Sequence, residues 1–443
     1  MLNLINKIYL LLAITLYLML SPKISGEYSM FNYINILSVF TYFIVIHYSF
    51  SYKIINKTSL LVVVLIYTIL FVGLYNIASY LYTENYFIFS TGDAITYDYF
   101  GRKLSSMDFF EGIDYFLDYY YFDDIGMVVI VSTFYKIADS NLIINFFYIF
   151  IGMFTTFGIF NISKSFMSKR YAFMASISYS LSSFVLFFHS TGLKASFMIM
   201  LGVLAFSQYY QYLSKRKLMN LVIMSIYLLL LIFFRPAVMV LIIASIGIGF
   251  LTVNKKSFFS KIIFIFIFFL MIVFSNSIFT IIDKYMAGGF DSLIISKESE
   301  GMIRGGLPFT YMVNFLAQFI GPLPTLVSDK TLLTIYAPGL IYRVLLAIPF
   351  WIGSYYIFKR KNYLLYPLAI YVVFEMFALA FLLEGLELRK SMSHIPFVFI
   401  IAFWFLEQYD RKKIIIKKPQ RFKLFFKILV SLLFLVIFYW NFR

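Results

Sequence analysis

Residues 60–82 read LLVVVLIYTILFVGLYNIASYLY, and residues 84–124 read ENYFIFSTGDAITYDYFGRKLSSMDFFEGIDYFLDYYYFDD. The first stretch carries no charge. At about 1.5 Å per residue it is long enough to cross a hydrocarbon core of about 30 Å as a helix. The second stretch gathers Glu84, Asp93, Asp98, Asp108, Glu111, Asp114, Asp118, Asp123 and Asp124 against only Arg102 and Lys103. An apolar span followed by an acidic, aromatic loop predicts a membrane helix that delivers the chain to a water-facing surface.

The whole chain has the same character. It is 62% hydrophobic and 13% charged over 443 residues, whereas a soluble chain is nearer half apolar and a quarter charged. Apolar runs at 4–20, 31–50, 60–82, 141–162, 171–188, 195–213, 218–234, 237–253, 262–282, 338–357, 363–383, 394–409 and 424–442 predict an all-α, polytopic helical bundle of about 11–13 spans. Lys7 is followed by an apolar stretch to Leu20, and no A-x-A-like cleavage site comes after it, so an uncleaved first span is expected. One membrane domain over 1–443 accounts for the pattern, with no soluble domain, short-period repeat or Gly/Ser linker.

Charge orients the bundle. Lys53 and Lys57, Lys164 to Arg170, Lys215-Arg216-Lys217, Lys255 to Lys261, Lys359-Arg360-Lys361 and the cluster Arg411 to Lys427 fall on one side, which the positive-inside rule makes cytoplasmic. The net charge of +16 is thereby a topogenic signal, and nucleic acid is not an expected partner. The opposite side receives loops 83–140, 189–194, 283–337 and 384–393 with nearly all the acids; Glu407 and Asp410 are the cytoplasmic exceptions. Ile125–Ile137 is apolar but too short to cross and predicts a helix at the interface. Tyr311–Val327 is broken by Gly321-Pro322-Leu323-Pro324 and predicts a re-entrant or interfacial segment.

Composition closes several chemistries. The chain has no cysteine, so disulfides, thiolate zinc sites and cysteine nucleophiles are excluded. His47, His189 and His394 lie far apart with no HExxH-type spacing, so no histidine metal site is expected. Gly288-Gly289 and Gly305-Gly306 lack the context of a phosphate loop. They bracket either a closing flap over 283–310, with Asp291, Lys297, Glu298, Glu300 and Arg304, or a plain connection.

Candidate chemistry centres on Asp93. A carboxylate just above the membrane can take a proton from an acceptor hydroxyl, and Tyr97 and Leu104 fall on its face of a short helix. From spacing alone, Asp93 reads first as the N-cap of a solvated loop helix. Asp123-Asp124 read first as a solvated loop end, and otherwise as a pair that binds acceptor hydroxyls or helps hold a divalent metal. Arg235-Pro236 reads equally as a snorkelling cation or a phosphate ligand. Glu375 lies mid-span, where a carboxyl is protonated, paired or facing a cavity. The aromatic run Tyr115–Phe122 reads as an interfacial belt ahead of a sugar-stacking surface.

Asp93, Tyr97, Gly101 and Leu104, spaced Asp-x-x-x-Tyr-x-x-x-small-x-x-Leu, resemble the first-external-loop signature of the GT-C membrane glycosyltransferases. The order of later features is similar: the apolar segment Ile125–Ile137, a span leading to the basic turn Lys164–Arg170, a late external loop, and Arg389-Lys390 before a span. Length and Ile/Phe/Tyr richness resemble the phage-derived Gtr serotype-converting O-antigen glucosyltransferases of enteric bacteria. Gly101 stands where that pattern has Ala, and Lys194 where an acid often follows the third core span.

The resemblance implies two large periplasmic loops and a site facing the periplasm from the bacterial inner membrane. It implies a polyprenyl-phosphate sugar donor, undecaprenyl-phosphate glucose, and a lipid-linked O-antigen acceptor, with a donor synthase and a flippase acting upstream. Asp93 takes the base position with inversion, and Tyr97 and Asp98 support it. No cofactor is implied, and a divalent metal is left open. Cationic stabilisation of the phosphate leaving group is expected from Arg389 and Lys390, then Arg304, Arg235, Lys194 and Arg343. An O-antigen polymerase, which joins polyprenyl-linked repeats, is the alternative. A lipid or glycan transporter is a third reading, thinly supported by Glu375.

Overall fold

The computed structural model describes residues 1–20, 29–51, 56–83, 92–120, 122–138, 140–253, 290–299, 303, 306–320, 323, 331–382, 388–412, 414 and 419–442. Among these residues every regular element is helical. The helices are α1 (Leu2–Leu20), α2 (Ser29–Ser51), α3 (Lys57–Thr83), α4 (Asp93–Ser105), α5 (Phe109–Tyr119), α6 (Ile125–Ile137), α7 (Asn141–Lys164), α8 (Lys169–Ser180), α9 (Ser183–Ser190) and α10 (Ala195–Lys215). They continue with α11 (Leu218–Ile232), α12 (Pro236–Val253), α13 (Phe290–Ser299), α14 (Leu307–Ile320), α15 (Thr331–Lys359), α16 (Tyr366–Phe381), α17 (Leu388–Ser391), α18 (Ile395–Asp410) and α19 (Pro419–Phe442). The run expected at 262–282 lies outside the described residues.

Among the described residues five stretches are long and apolar enough to cross a membrane: Thr58–Leu81, Leu142–Lys164, Pro236–Val253, Ile335–Lys359 and Tyr363–Phe381. A sixth is the pair α8 and α9, bent by 53° between its halves. Shorter apolar helices cover Leu2–Leu18, Tyr33–Tyr48, Leu218–Ile232, Leu307–Ile320 and Leu424–Tyr439. This is a helical membrane protein. Its spans expose apolar side chains in stripes, such as Leu142, Phe146, Phe150 and Phe154 on α7. Recurring every fourth residue, they form one helix face turned to lipid.

The expected span 171–188 is a broken one. The α8 ladder stops when the Leu181 N–H reaches the Ile177 carbonyl. The Ser182 hydroxyl donates to the Ser178 carbonyl, and the Ser183 hydroxyl donates to the Tyr336 carbonyl while accepting from the Gly339 N–H. The Ser182 hydroxyl thus satisfies a carbonyl that the break would leave bare in an apolar interior, and the Ser183 hydroxyl ties α9 to α15.

Two compact units divide the chain: Met1–Met239 with Leu323–Gly353 and Val398–Arg443, and Val240–Pro322 with Ser354–Phe397. In the first unit α7 packs on α3, α8 and α10, and α10 packs on α11. Little hydrophobic force drives helices together inside a bilayer, so close packing and hydrogen bonds carry the association. Tyrosine supplies both here. Tyr9, Tyr42 and Tyr342 meet edge to face with centroids 5.2–5.3 Å apart. The Tyr342 hydroxyl donates to Asn6 Oδ1 at 3.1 Å, and the Tyr75 hydroxyl to Asn35 Oδ1 at 3.1 Å.

The two acids on the basic side are structural. Buried Glu407 accepts the Ser168 N–H on both oxygens, at 3.1 and 3.2 Å, and pairs with Arg411 at 2.8 Å. Asp410 accepts the Tyr171 hydroxyl at 2.6 Å. Ser168 is the N-cap of α8 and makes no side-chain cap of its own; α18 provides one.

In the second unit α14 packs on α16, with Phe315 against Phe377 at 4.8 Å and Tyr311 stacked on Phe381 at 5.9 Å. Helix α14 ends at Ile320, just ahead of the Gly-Pro sequence that predicts a break there. Of the loop 283–310, α13 and the start of α14 are described; Gly288, Gly289, Glu300, Arg304 and Gly305 lie outside the described residues.

Candidate functional site

The loop between α3 and α7 is a platform of α4, α5, a 3-10 turn over Phe122–Asp124, and α6. The Tyr97, Gly101 and Leu104 positions of the loop pattern are its packing face. Tyr97, Gly101 and Leu104 are buried on α4 together with Ala94 and Phe100. A Cβ on Gly101 would lie 2.3 Å from Val131 Cγ1 and 2.9 Å from Val131 Cβ. The small residue is thus required by the close approach of α4 to α6. Leu104 in turn fills the space over Gly112 of α5.

Asp93 is the first residue of α4, not its cap. The N-cap is Gly92, whose carbonyl accepts the Thr96 N–H at 2.8 Å. Asp93 is half-exposed at the N-terminal end of the helix. Its charge acts on two phenols, Tyr97 and Tyr120. Burial pushes the Tyr97 hydroxyl well above its ordinary range, and Asp124 and then Asp93 add to that. Burial raises Tyr120 as well, with Asp93 the first of the charges that act on it.

Asp98 points elsewhere. It accepts the Tyr135 hydroxyl from α6 and pairs with Arg102 Nε at 3.3 Å. The Arg102 guanidinium lies 4.4 Å over the Tyr135 ring. The structure therefore joins Asp98 to α6 and not to Asp93; at five residues' separation the two carboxylates lie on different faces of α4.

Asp123 and Asp124 are not a solvated loop end. They are 6% and 7% exposed, and they converge on one cation. Lys194 Nζ lies 2.6 Å from Asp123 Oδ2 and 2.7 Å from Asp124 Oδ1, and the latter oxygen also accepts the Tyr97 hydroxyl. Burial raises the Asp123 carboxyl above its ordinary value; Lys194 opposes that shift and Asp124 reinforces it. Lys194 was a phosphate candidate, but both carboxylates hold it within the platform. The pairing spans 71 residues of sequence, so no local signal announces it.

Span ends lock this network. The Tyr148 hydroxyl of α7 donates to the Leu193 carbonyl at 2.8 Å and lies 3.4 Å from Met127 Sδ of α6. The Gly126 N–H donates to the Phe233 carbonyl at 3.1 Å, in the corner between α11 and α12. A Cβ on Gly126 would come within 2.9 Å of that carbonyl. Phe122 packs on Phe233 at 5.6 Å, and Phe197 stacks on Phe234 at 5.6 Å. Arg235, half-buried in the same corner, is thereby carried beside the platform. Within the aromatic run 115–122, Phe116 is buried and closes with half-buried Tyr120 on Phe100, while Tyr119 and Phe122 are exposed.

Other candidates lie in the second unit or deeper in the first. Arg389 and Lys390 are half-buried on the four-residue α17. Glu375 is buried and paired: the Ser393 hydroxyl donates to Oε1, and His394 Nδ1 is 3.7 Å from Oε2. The sequence pointed to Glu375 but not to these partners, which follow the Arg389-Lys390 turn. Arg343 is buried in α15. Arg304 lies outside the described residues. No family model matches the sequence, and no curated protein matches it.

Proposed function

We propose that the protein is a GT-C-type glycosyltransferase that works on the outer face of the bacterial inner membrane. It moves a sugar, glucose by resemblance, from undecaprenyl phosphate to a lipid-linked O-antigen. The observation that carries this reading is the placement of Asp93. It stands at the N-terminal end of a helix that, one turn on and on the same face, is locked to span ends through Tyr97, Asp124 and Lys194. A base must be held within hydrogen-bond reach of the hydroxyl that it deprotonates, and a rigid platform at the membrane surface suits an acceptor and a donor that are both lipid-anchored.

In this mechanism the acceptor hydroxyl gives its proton to the Asp93 carboxylate. Its oxygen bonds to the anomeric carbon from the face opposite the phosphate. The carbon–oxygen bond to the phosphate breaks, and the electron pair leaves on polyprenyl phosphate, with inversion. Arg235, in the same unit as Asp93, is the cation proposed for that leaving group. A guanidinium fork matches phosphate oxygens better than an ammonium does.

The test supplies purified protein in proteoliposomes with undecaprenyl-phosphate glucose and lipid-linked acceptors. Asp93→Asn, in a chain that still inserts and melts normally, is expected to lower transfer by about 10²–10⁴-fold. Undiminished transfer would sink the assignment of the base. Product mass separates addition of one hexose from the joining of whole repeats, which is the polymerase reading.

A further inference from the structure

Helix α5 has more apolar surface than its neighbours use. Gly112 and Phe116 face Leu104 and Phe100. At about 100° per residue, Phe109, Ile113, Leu117 and Phe110 occupy the next arc of the helix, and Glu111, Asp114 and Asp118 the arc beyond. Phe109, Phe110 and Leu117 are exposed, Phe110 at 78%. The acids are exposed too. A helix with a packed side, an uncovered apolar side and an acidic side has two environments besides the protein.

We infer that α5 lies along the membrane surface, with Phe109, Phe110, Ile113 and Leu117 seated in the bilayer and Glu111, Asp114 and Asp118 turned to water. Continuity with the lipid-facing surface identifies the occupant. Phe109 and Ile113 line a groove with Val129, Thr133 and Lys136 of α6, which puts them within a turn of Ile137. Ile137 is 70% exposed and stands shortly before Leu142, where the outward stripe of α7 begins. The apolar patch on α5 thus runs into a surface that already faces lipid. The platform is also tied to spans at both ends, α3 before it and α7 after it, so it cannot stand far from the membrane. Exposed Lys136, beside Phe109 and Ile113, has the character of a residue at the headgroup level, with an apolar stem and a charged tip.

This inference does not depend on the proposed reaction. Its test uses the absence of cysteine from the chain, which makes any introduced thiol unique. Phe110→Cys and Asp114→Cys change exposed side chains, so the fold is retained. Each is labelled with a nitroxide in the full chain and reconstituted into phosphatidylethanolamine and phosphatidylglycerol vesicles. Collisions with oxygen, which concentrates in lipid, are compared with those of a water-soluble nickel chelate. The Phe110→Cys label is expected to meet oxygen often and the chelate several-fold less than the Asp114→Cys label does. Leu117→Cys, on the same arc, is expected to agree with Phe110→Cys. Equal chelate access at positions 110 and 114 overturns the proposal. So does spin–spin broadening at 110 that disappears on dilution with unlabelled chains, because a second copy then covers the patch.

Discussion

Lys194 holds two carboxylates that are almost closed off from water, and this is a costly arrangement to break. Removing one member of a buried ion pair leaves uncompensated charge, at about 3–5 kcal/mol. Lys194 is itself partly exposed, which puts Lys194→Met at about 3 kcal/mol, the lower end of that range. The expected outcome is a clear fall in the midpoint of thermal unfolding in detergent, with Lys194→Arg falling less. An unchanged midpoint for Lys194→Met would show that the network carries no stability. Little of this was legible beforehand. Adjacent aspartates at the end of an acidic loop look solvated, and the cation that buries them comes from a turn between two later helices. Asp93 was legible as a helix-start acid, because its spacing to Tyr97, Gly101 and Leu104 traces one helical face. Which of these residues pack and which stay open needed the neighbouring helices.

Helices α4 and α6 meet where Gly101 faces Val131, and the absent side chain sets their separation. Gly101→Val forces extra volume into a filled contact, with an overpacking cost of about 1–3 kcal/mol. Adding Val131→Ala is expected to recover much of that loss. Thermal melts of the two single variants and the double variant measure the coupling, and simple additivity would mean that the two residues do not share the contact. Elements defined by their own hydropathy were legible: α3, α7, α12, α15 and α16 coincide with apolar runs. The break between α8 and α9 was not, because its determinants lie elsewhere. Ser183 is engaged by Tyr336 and Gly339, and a Cβ on Gly339 would lie 2.5 Å from Phe184 Cδ1. A window moved along residues 171–188 contains neither partner.

For the whole molecule, the places where Lys and Arg collect predict a sidedness that can be checked directly. In intact cells Asp114→Cys is expected to react with a membrane-impermeant maleimide. Lys217→Cys, exposed between α10 and α11, is expected to react only after permeabilisation; the opposite pattern would invert the topology. Glu407 and Asp410 depart from the charge rule for a reason visible only in three dimensions, since one caps α8 and the other holds Tyr171. The cap has a consequence in time. Ser168 and Glu407 are 239 residues apart, so α8 emerges from the ribosome long before its cap exists. At about 5–20 residues per second, the wait is roughly 10–50 s. For that interval the start of α8 must rely on water, lipid headgroups or the insertion machinery to satisfy its first amide. Ribosomes stalled before position 407 should therefore leave the Lys164–Arg170 turn open to protease, and synthesis past it should close that turn.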